Sequence, residues 1–304
     1  MAIEAVRPVF PSLSSAGAGR PEVVAVPARV PTGVPDFDYL TGGVPAGSVI
    51  LLVGEAGAGY QEFALTSAVH LMLHYDDPDL HRFYLGSARG PFVYPAGVAY
   101  LSTSRSKEQV VDEMRGSFSA TYPDVLLRHL SFYDLSPTYF RDTVVPSAWA
   151  SLGGSLLAAA AGPSRSAEGP LRALADALDA SGPNNLLVVD SLTDLLVREG
   201  IGTNDVLTML KGLRRRAKGW GGVVYLLLSE GVAPASVEHA VADSVDGVLQ
   251  FRWTTSPNSS HRTRSMLIPK FMPVLARLPA EYHGRFVIRV NSANGLVTTQ
   301  YERV

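Results

Sequence analysis

Residues 54–61 read Gly-Glu-Ala-Gly-Ala-Gly-Tyr-Gln. Gly54 and Gly59 fall on the two glycines of the phosphate-binding pattern G-x-x-x-x-G-K-[ST], and Gly57 adds a third. Tyr60 stands where the pattern has its lysine, and Gln61 where it has the magnesium-binding hydroxyl. Ahead of the glycines, Val49-Ile50-Leu51-Leu52-Val53 is a continuous apolar run rich in β-branched residues. Such a run suits a strand buried on both faces of a parallel sheet. Behind them, Leu65, Val69, Met72 and Leu73 recur on one helical face. Strand, glycine turn and helix follow in the order the motif requires, and the N–H groups at such a helix start attract anions. Spacing alone leaves an ordinary glycine-rich strand-to-helix turn equally open, because the lysine is missing.

The flanks carry more. Thr32-Gly33-Val34-Pro35-Asp36-Phe37-Asp38-Tyr39-Leu40-Thr41-Gly42-Gly43-Val44-Pro45-Ala46-Gly47-Ser48 leads into the strand. Leu186-Leu187-Val188-Val189-Asp190-Ser191 is an apolar strand ending in a carboxylate. Val223–Glu230, Ala242–Leu249 and Leu267–Met272 follow in that order. Together these segments resemble the approach, Walker B strand and later core strands of RecA-superfamily proteins of the KaiC and RadA type. The resemblance spans roughly residues 31–300. It is nearest to KaiC-like proteins of archaea, including the HTR-like group of halophiles. It implies an α/β, RecA-like three-layer sandwich, with a mostly parallel central sheet and a C-terminal β-hairpin formed by Phe286–Val290 and Gly295–Val297.

The resemblance also marks what is absent. KaiC-like ATPases carry an acidic pair after the second core strand, one glutamate activating water; here Ser104 and Arg105 follow Val98–Thr103. They use a Lys-x-Arg pair toward a neighbouring subunit's nucleotide; Lys270 fits the first position, and Met272 occupies the second. Asp190 remains, either as a water-bridged magnesium ligand or as a polar residue at a strand end. Phosphoryl transfer depends on positioning and charge stabilisation, and an arginine finger alone is worth roughly 10³–10⁵ in rate. A chain without the lysine, hydroxyl, glutamate and arginine is expected to be a pseudo-ATPase with a regulatory or signalling role. Its cofactor is expected to be none, or weakly bound ATP or ADP on Gly54, Gly57, Gly59, Tyr60, Gln61, Asp190 and Lys270. Tyr60 either stacks on a base or fills the phosphate pocket. Two alternatives stay open. One is a working ATPase in which Lys270 or another cation replaces the lysine. The other is a RadA-like DNA-binding protein, whose basic loops find a counterpart only in the cluster Arg214, Arg215, Arg216 and Lys218.

Composition narrows the class further. The 304 residues are 46% hydrophobic and 18% charged, enough apolar content for a large core. The net charge of −2 gives no general attraction to nucleic acid or anionic membrane. With Cys at 0, disulfides and thiolate chemistry are excluded. No apolar stretch reaches the ~18 residues of a membrane span, and no secretion signal is read, so a cytoplasmic protein with a protein partner or a homo-oligomeric state is expected. Residues 1–30, punctuated by Pro8, Pro11, Pro21 and Pro27, read as a flexible arm ahead of a domain at 31–304. Residues 75–96 read as a long loop whose aromatics Phe83, Tyr84, Phe92 and Tyr94 either hairpin back on the core or form a partner surface, and 151–170 as a flexible insertion. His70 and His74 lie four apart without a zincin carboxylate and read as structural.

Overall fold

The alternation of apolar strands with amphipathic helices builds a layered α/β domain. This computed structural model describes residues 28–86, 88, 90–150, 169–255, 262–279 and 285–301. The strands are β1 (Arg29–Val30), β2 (Val44–Pro45), β3 (Ser48–Gly54), β4 (Gly97–Ser102), β5 (Leu130–Asp134), β6 (Asn185–Asp190), β7 (Val223–Ser229), β8 (Gly247–Thr255), β9 (Arg262–Lys270), β10 (Arg285–Asn291) and β11 (Gly295–Tyr301). The helices are α1 (Pro35–Thr41), α2 (Tyr60–Asp76), α3 (Pro78–Leu85), α4 (Lys107–Ser117), α5 (Thr121–His129), α6 (Ser136–Tyr139), α7 (Ser147–Ala150), α8 (Pro170–Ser181), α9 (Leu192–Val197), α10 (Thr203–Ala217), α11 (Ala235–Ser244) and α12 (Met272–Leu275).

Nine strands form one sheet in the order β11-β10-β9-β8-β3-β7-β6-β4-β5. From β8 to β5 all pairs are parallel; β8 to β11 are antiparallel. Side chains alternate across β3: Ile50 and Leu52 enter one core, while Val49, Leu51 and Val53 enter a second on the opposite face. The first core is roofed by α2 and α5, and the second by α8, α10 and α11. Val206, Leu210, Leu213 and Ala217 form the buried stripe of α10, as their spacing predicts. The expected three-layer fold with a C-terminal hairpin is therefore the observed one.

Three expectations change. Helix α2 is buried on almost every side rather than on one face, including Tyr60, Phe63, Ser67 and His70. The cause lies outside the helix: α3, α5 and β11 pack around it, and the Leu296 amide donates to Thr66 Oγ1 at 2.9 Å. Residues 75–96 are not one long loop. The Asp77 carboxylate caps α3 by accepting the Leu80 amide at 2.9 Å, with Pro78 opening the helix. Tyr84 and Tyr94 do fold back on the core, as the first of the two readings expects, and stack on His70 and His74 at ring separations of 4.0 and 3.8 Å. Finally, sheet pairing starts ahead of residue 31. Arg29 and Val30 pair with Pro45 and Val44, and the Arg29 guanidinium donates to the Gly42 and Thr41 carbonyls. The arm before residue 28 and most of the 151–170 insertion lie outside the described residues.

Candidate functional site

In a parallel sheet the loops beyond the strand C-termini are the natural binding edge. Here that edge runs across β3, β7, β6 and β4, ending in Gly54, Ser229, Asp190 and Ser102. The turn after β3 depends on its glycines: Gly57 has φ +70° and Gly59 φ +117°. Tyr60, only 8% exposed, opens α2 and turns back across the base of the loop. Its ring lies against Gly54, with Cδ1 2.9 Å from the position of the missing Cβ, and its hydroxyl is 3.1 Å from Ser229 Oγ. The C-terminal hairpin closes the side of the loop: Ile288 and Leu296 lie 3.2 and 3.3 Å from where a Gly59 Cβ would stand. On the outer edge, Trp253 Nε1 donates to the Ala56 carbonyl at 3.2 Å and Arg264 Nε to the Gly57 carbonyl at 2.9 Å. The guanidiniums of Arg262 and Arg264 lie over the Trp253 ring at 4.9 and 4.7 Å.

The second part of the edge is a charged cluster. Asp190 ends β6 and is 5% exposed. Its Oδ2 accepts Arg105 Nε at 2.9 Å, a second bond from Arg105 Nη2, and the Tyr100 hydroxyl at 2.6 Å. Arg105 Nη2 also donates to the Tyr100 oxygen at 2.9 Å, and Nη1 pairs with Glu113. Register explains the meeting: Ser102 lies beside Asp190 across β4 and β6, so the chain leaving β4 passes the carboxylate. The Arg105 amide donates to Ser102 Oγ at 2.9 Å, which fixes that turn. Burial works against the Arg105 charge, but Tyr100, Asp190 and Glu113 outweigh it and hold the guanidinium protonated above its ordinary value. Burial and the adjacent Asp190 push the Tyr100 phenol well up, so it stays a neutral donor. Thr103 and Ser104 turn to Asp194 instead; Ser104 Oγ donates to Asp194 Oδ2 at 2.9 Å.

Of the residues named from the sequence, the fold brings Gly54, Gly57, Gly59, Tyr60 and Gln61 into one turn, with Asp190 two strands away along the same edge. Gln61 is half-buried in the first turn of α2. Lys270 is elsewhere. It lies opposite Val248 on β8, itself beside Leu51, about 10 Å back along the sheet from Gly54. Its Nζ caps α11, donating to the carbonyls of Ala242, Asp243 and Val245 at 2.8, 3.0 and 3.0 Å. Burial lowers the Lys270 pKa. In the basic cluster, Arg214 and Lys218 both pair with Asp246 at 2.8 Å, and Arg216 with Asp179 at 2.7 Å. His70 bridges the Gly33 carbonyl and the Tyr122 hydroxyl, each at 2.7 Å.

A nucleotide–magnesium pair fits these side chains poorly. The aromatic ring of Tyr60 lies over the strand end, where the fold's lysine would approach phosphate. Asp190 Oδ2 already accepts three donors, two of them from the Arg105 guanidinium. Arg105, Tyr100 and Ser229 are the residues a motif search passes over. The signal for Arg105 was present as a charge reversal, a cation three residues after the strand that neighbours the one ending in Asp190.

The sheet order, the turn after its central strand and the antiparallel C-terminal extension define a RecA-like P-loop fold. Solved structures carry the same fold. A KaiC-like protein from Pyrococcus horikoshii OT3 is similar at a TM-score of 0.57 and 17% identity, covering 90% of this chain and 100% of that one. The flagellar accessory protein FlaH from Methanocaldococcus jannaschii is similar at 0.57 and 16%, with the same coverage. No family model and no curated protein sequence matches the chain.

Proposed function

We propose that this chain is a non-catalytic KaiC-like domain, a pseudo-ATPase whose nucleotide edge is closed by its own side chains and which acts by binding a protein partner. The observation that carries the reading is the Arg105–Asp190 pair. A guanidinium occupies the carboxylate that the fold uses toward magnesium, and it does so from the position where relatives place a catalytic acid. The Tyr60 ring supports it by filling the base of the loop. A partner-dependent role is in keeping with the accessory function named for FlaH, although a shared fold alone does not transfer function. Among the described residues no helix is long and apolar enough to cross a membrane.

Calorimetry and a phosphate-release assay test the reading. The native chain should show no magnesium-dependent heat with ATP and no turnover above blank. The triple variant Tyr60→Lys, Gln61→Thr, Arg105→Glu should gain magnesium-dependent ATP binding. Turnover by the native chain near ~1 per second, a modest enzyme rate, abolished by Asp190→Ala, would overturn the proposal.

A further inference from the structure

Across the sheet from α2, a cavity of about 680 Å³ opens between α11 and strands β3, β8 and β9. Its size lies within the range of small-molecule sites. Leu51, Val53, Leu228 and Val248, all of the second core, form an aliphatic floor. Three carboxylates surround that floor: Glu230, Glu238 and Asp243. The two cations that line it are committed. Arg252 Nη2 donates to Glu230 Oε1 at 2.6 Å, and Lys270 is spent on the carbonyls that end α11. Uncommitted acceptors remain. Among the described residues Glu230 Oε2 is buried without a hydrogen-bond partner, while Oε1 takes both Gln250 and Arg252. Glu238 uses Oε1 for the Gly231 and Ala233 amides. The Asp243 side chain is exposed at the rim.

We infer that this cavity is a binding site for a small organic cation: an apolar body on the aliphatic floor, with an amine or amidine head donating to Glu230. An enclosed carboxylate oxygen without a donor is an unfavourable arrangement, and a charged N–H group relieves it. Glu230 Oε2 has no contact with solvent although the Glu230 side chain is 22% exposed, and Arg252 bonds the other oxygen, Oε1. The ligand head reaches the carboxylate by displacing the half-exposed Arg252 side chain from Oε1, and the freed carboxylate then offers both oxygens to it. Glu238 and Asp243 attract the same sign of charge at the mouth. The site shares no side chain with the Tyr60 or Arg105 clusters, so it stands whether or not the reading of the P-loop does.

The test uses the full chain with labelled Leu and Val methyl groups, titrated with benzamidine and separately with benzoate, the same ring carrying the opposite charge. Benzamidine should shift the methyls of Leu51, Val53, Leu228 and Val248 saturably, with half-saturation about 1 mM for so small a ligand. Benzoate should not. Glu230→Gln should weaken benzamidine about 10-fold, as expected for loss of a charged hydrogen bond, and Arg252→Ala should tighten it. Ala235→Trp, at an exposed position on the mouth, should remove binding while leaving the other methyl signals in place, which separates a blocked site from a misfolded one. The inference is overturned by equal binding of benzoate, by shifts that map elsewhere, by unchanged affinity in Glu230→Gln, or by no saturable shift up to about 20 mM.

Discussion

Removing the Arg105 side chain should destabilise the protein by an amount that depends on Asp190. The Asp190 side chain is 6% exposed and that of Arg105 24%, so the pair is largely withdrawn from water. In Arg105→Ala the carboxylate keeps only the Tyr100 hydroxyl. Breaking one side of a buried pair costs about 3–5 kcal/mol. Because Arg105 is partly exposed, water enters the space it leaves, and about 3 kcal/mol is expected. Asp190→Asn keeps a neutral acceptor for Tyr100 and leaves Arg105 with Glu113, so about 1–2 kcal/mol is expected. The double variant strands neither charge and should cost about 2 kcal/mol, which leaves a coupling energy of about 2–3 kcal/mol. Urea unfolding at pH 7, with all four proteins sharing one m value, measures it. The coupling should survive 0.5 M salt to within about 0.5 kcal/mol, since a buried pair is weakly screened. Glu113→Gln, on the exposed side of the same arginine, should cost under about 1 kcal/mol and lose that effect in salt. A coupling below about 0.5 kcal/mol would refute the argument that Arg105 is the counter-ion of Asp190.

The loop's closure predicts a contrast between two glycines. Gly57→Ala, with φ +70° but no atom closer than 4.0 Å to the new Cβ, should cost about 1 kcal/mol. Gly59→Ala, with φ +117° and Ile288 and Leu296 at 3.2 and 3.3 Å, should cost about 2–3 kcal/mol; equal melting shifts for the two would argue against hairpin packing on the loop. His70 predicts an acid sensitivity. Burial lowers its pKa from 6.5 to about 4, so its contribution is complete above pH 6.5 and is lost as pH falls toward 4. The shift corresponds to about 3 kcal/mol. Asp38 has the opposite sign: burial raises its carboxyl to about 7, so stability falls as pH rises from 3.8 through 7. The test is therefore the difference between native and His70→Gln stability from pH 4 to 7, in which the Asp38 contribution largely cancels; a pH-independent difference would contradict the assignment. Lys270→Met should cost about 1 kcal/mol through the lost cap on α11 and leave the Tyr60–Ser229 contact unchanged by fluorescence or NMR.

The fold was legible because its signals are local and ordered. Val49–Val53 reads as a doubly buried strand, Gly54–Gly59 as the turn, and Val206, Leu210, Leu213 and Ala217 as one helix face, and each is found so. What could not be read were contacts set by distant segments. Nothing within α2 announces burial on all sides, because β11 supplies the cover from more than 200 residues away. The fate of Tyr60 was left open for the same reason, since Ser229 is 169 positions distant. The loop reading of 75–96 failed on a shorter signal. Asp77-Pro78 followed by Leu80 is a helix start, but the proline and the acidic run read first as a break. Lys270, which the resemblance places in a Lys-x-Arg pair, serves the end of α11, because a lysine beside helix C-terminal carbonyls is drawn to them.

The side chains along the C-terminal edge of the parallel strands are physically coupled. The buried Asp190 carboxylate takes its counter-charge from Arg105. The Tyr60 ring packs against the strand end at Gly54 while its hydroxyl meets Ser229. Reverting one position therefore worsens matters. Arg105→Glu alone sets two carboxylates side by side next to Tyr100. Tyr60→Lys alone removes the ring and leaves an ammonium with no phosphate to meet. Only the combined reversal replaces each lost partner with one that a nucleotide and its magnesium can complete. The steps toward ATP binding should accordingly be strongly non-additive, with the single variants less stable than the native chain and the triple variant stabilised by ATP with magnesium.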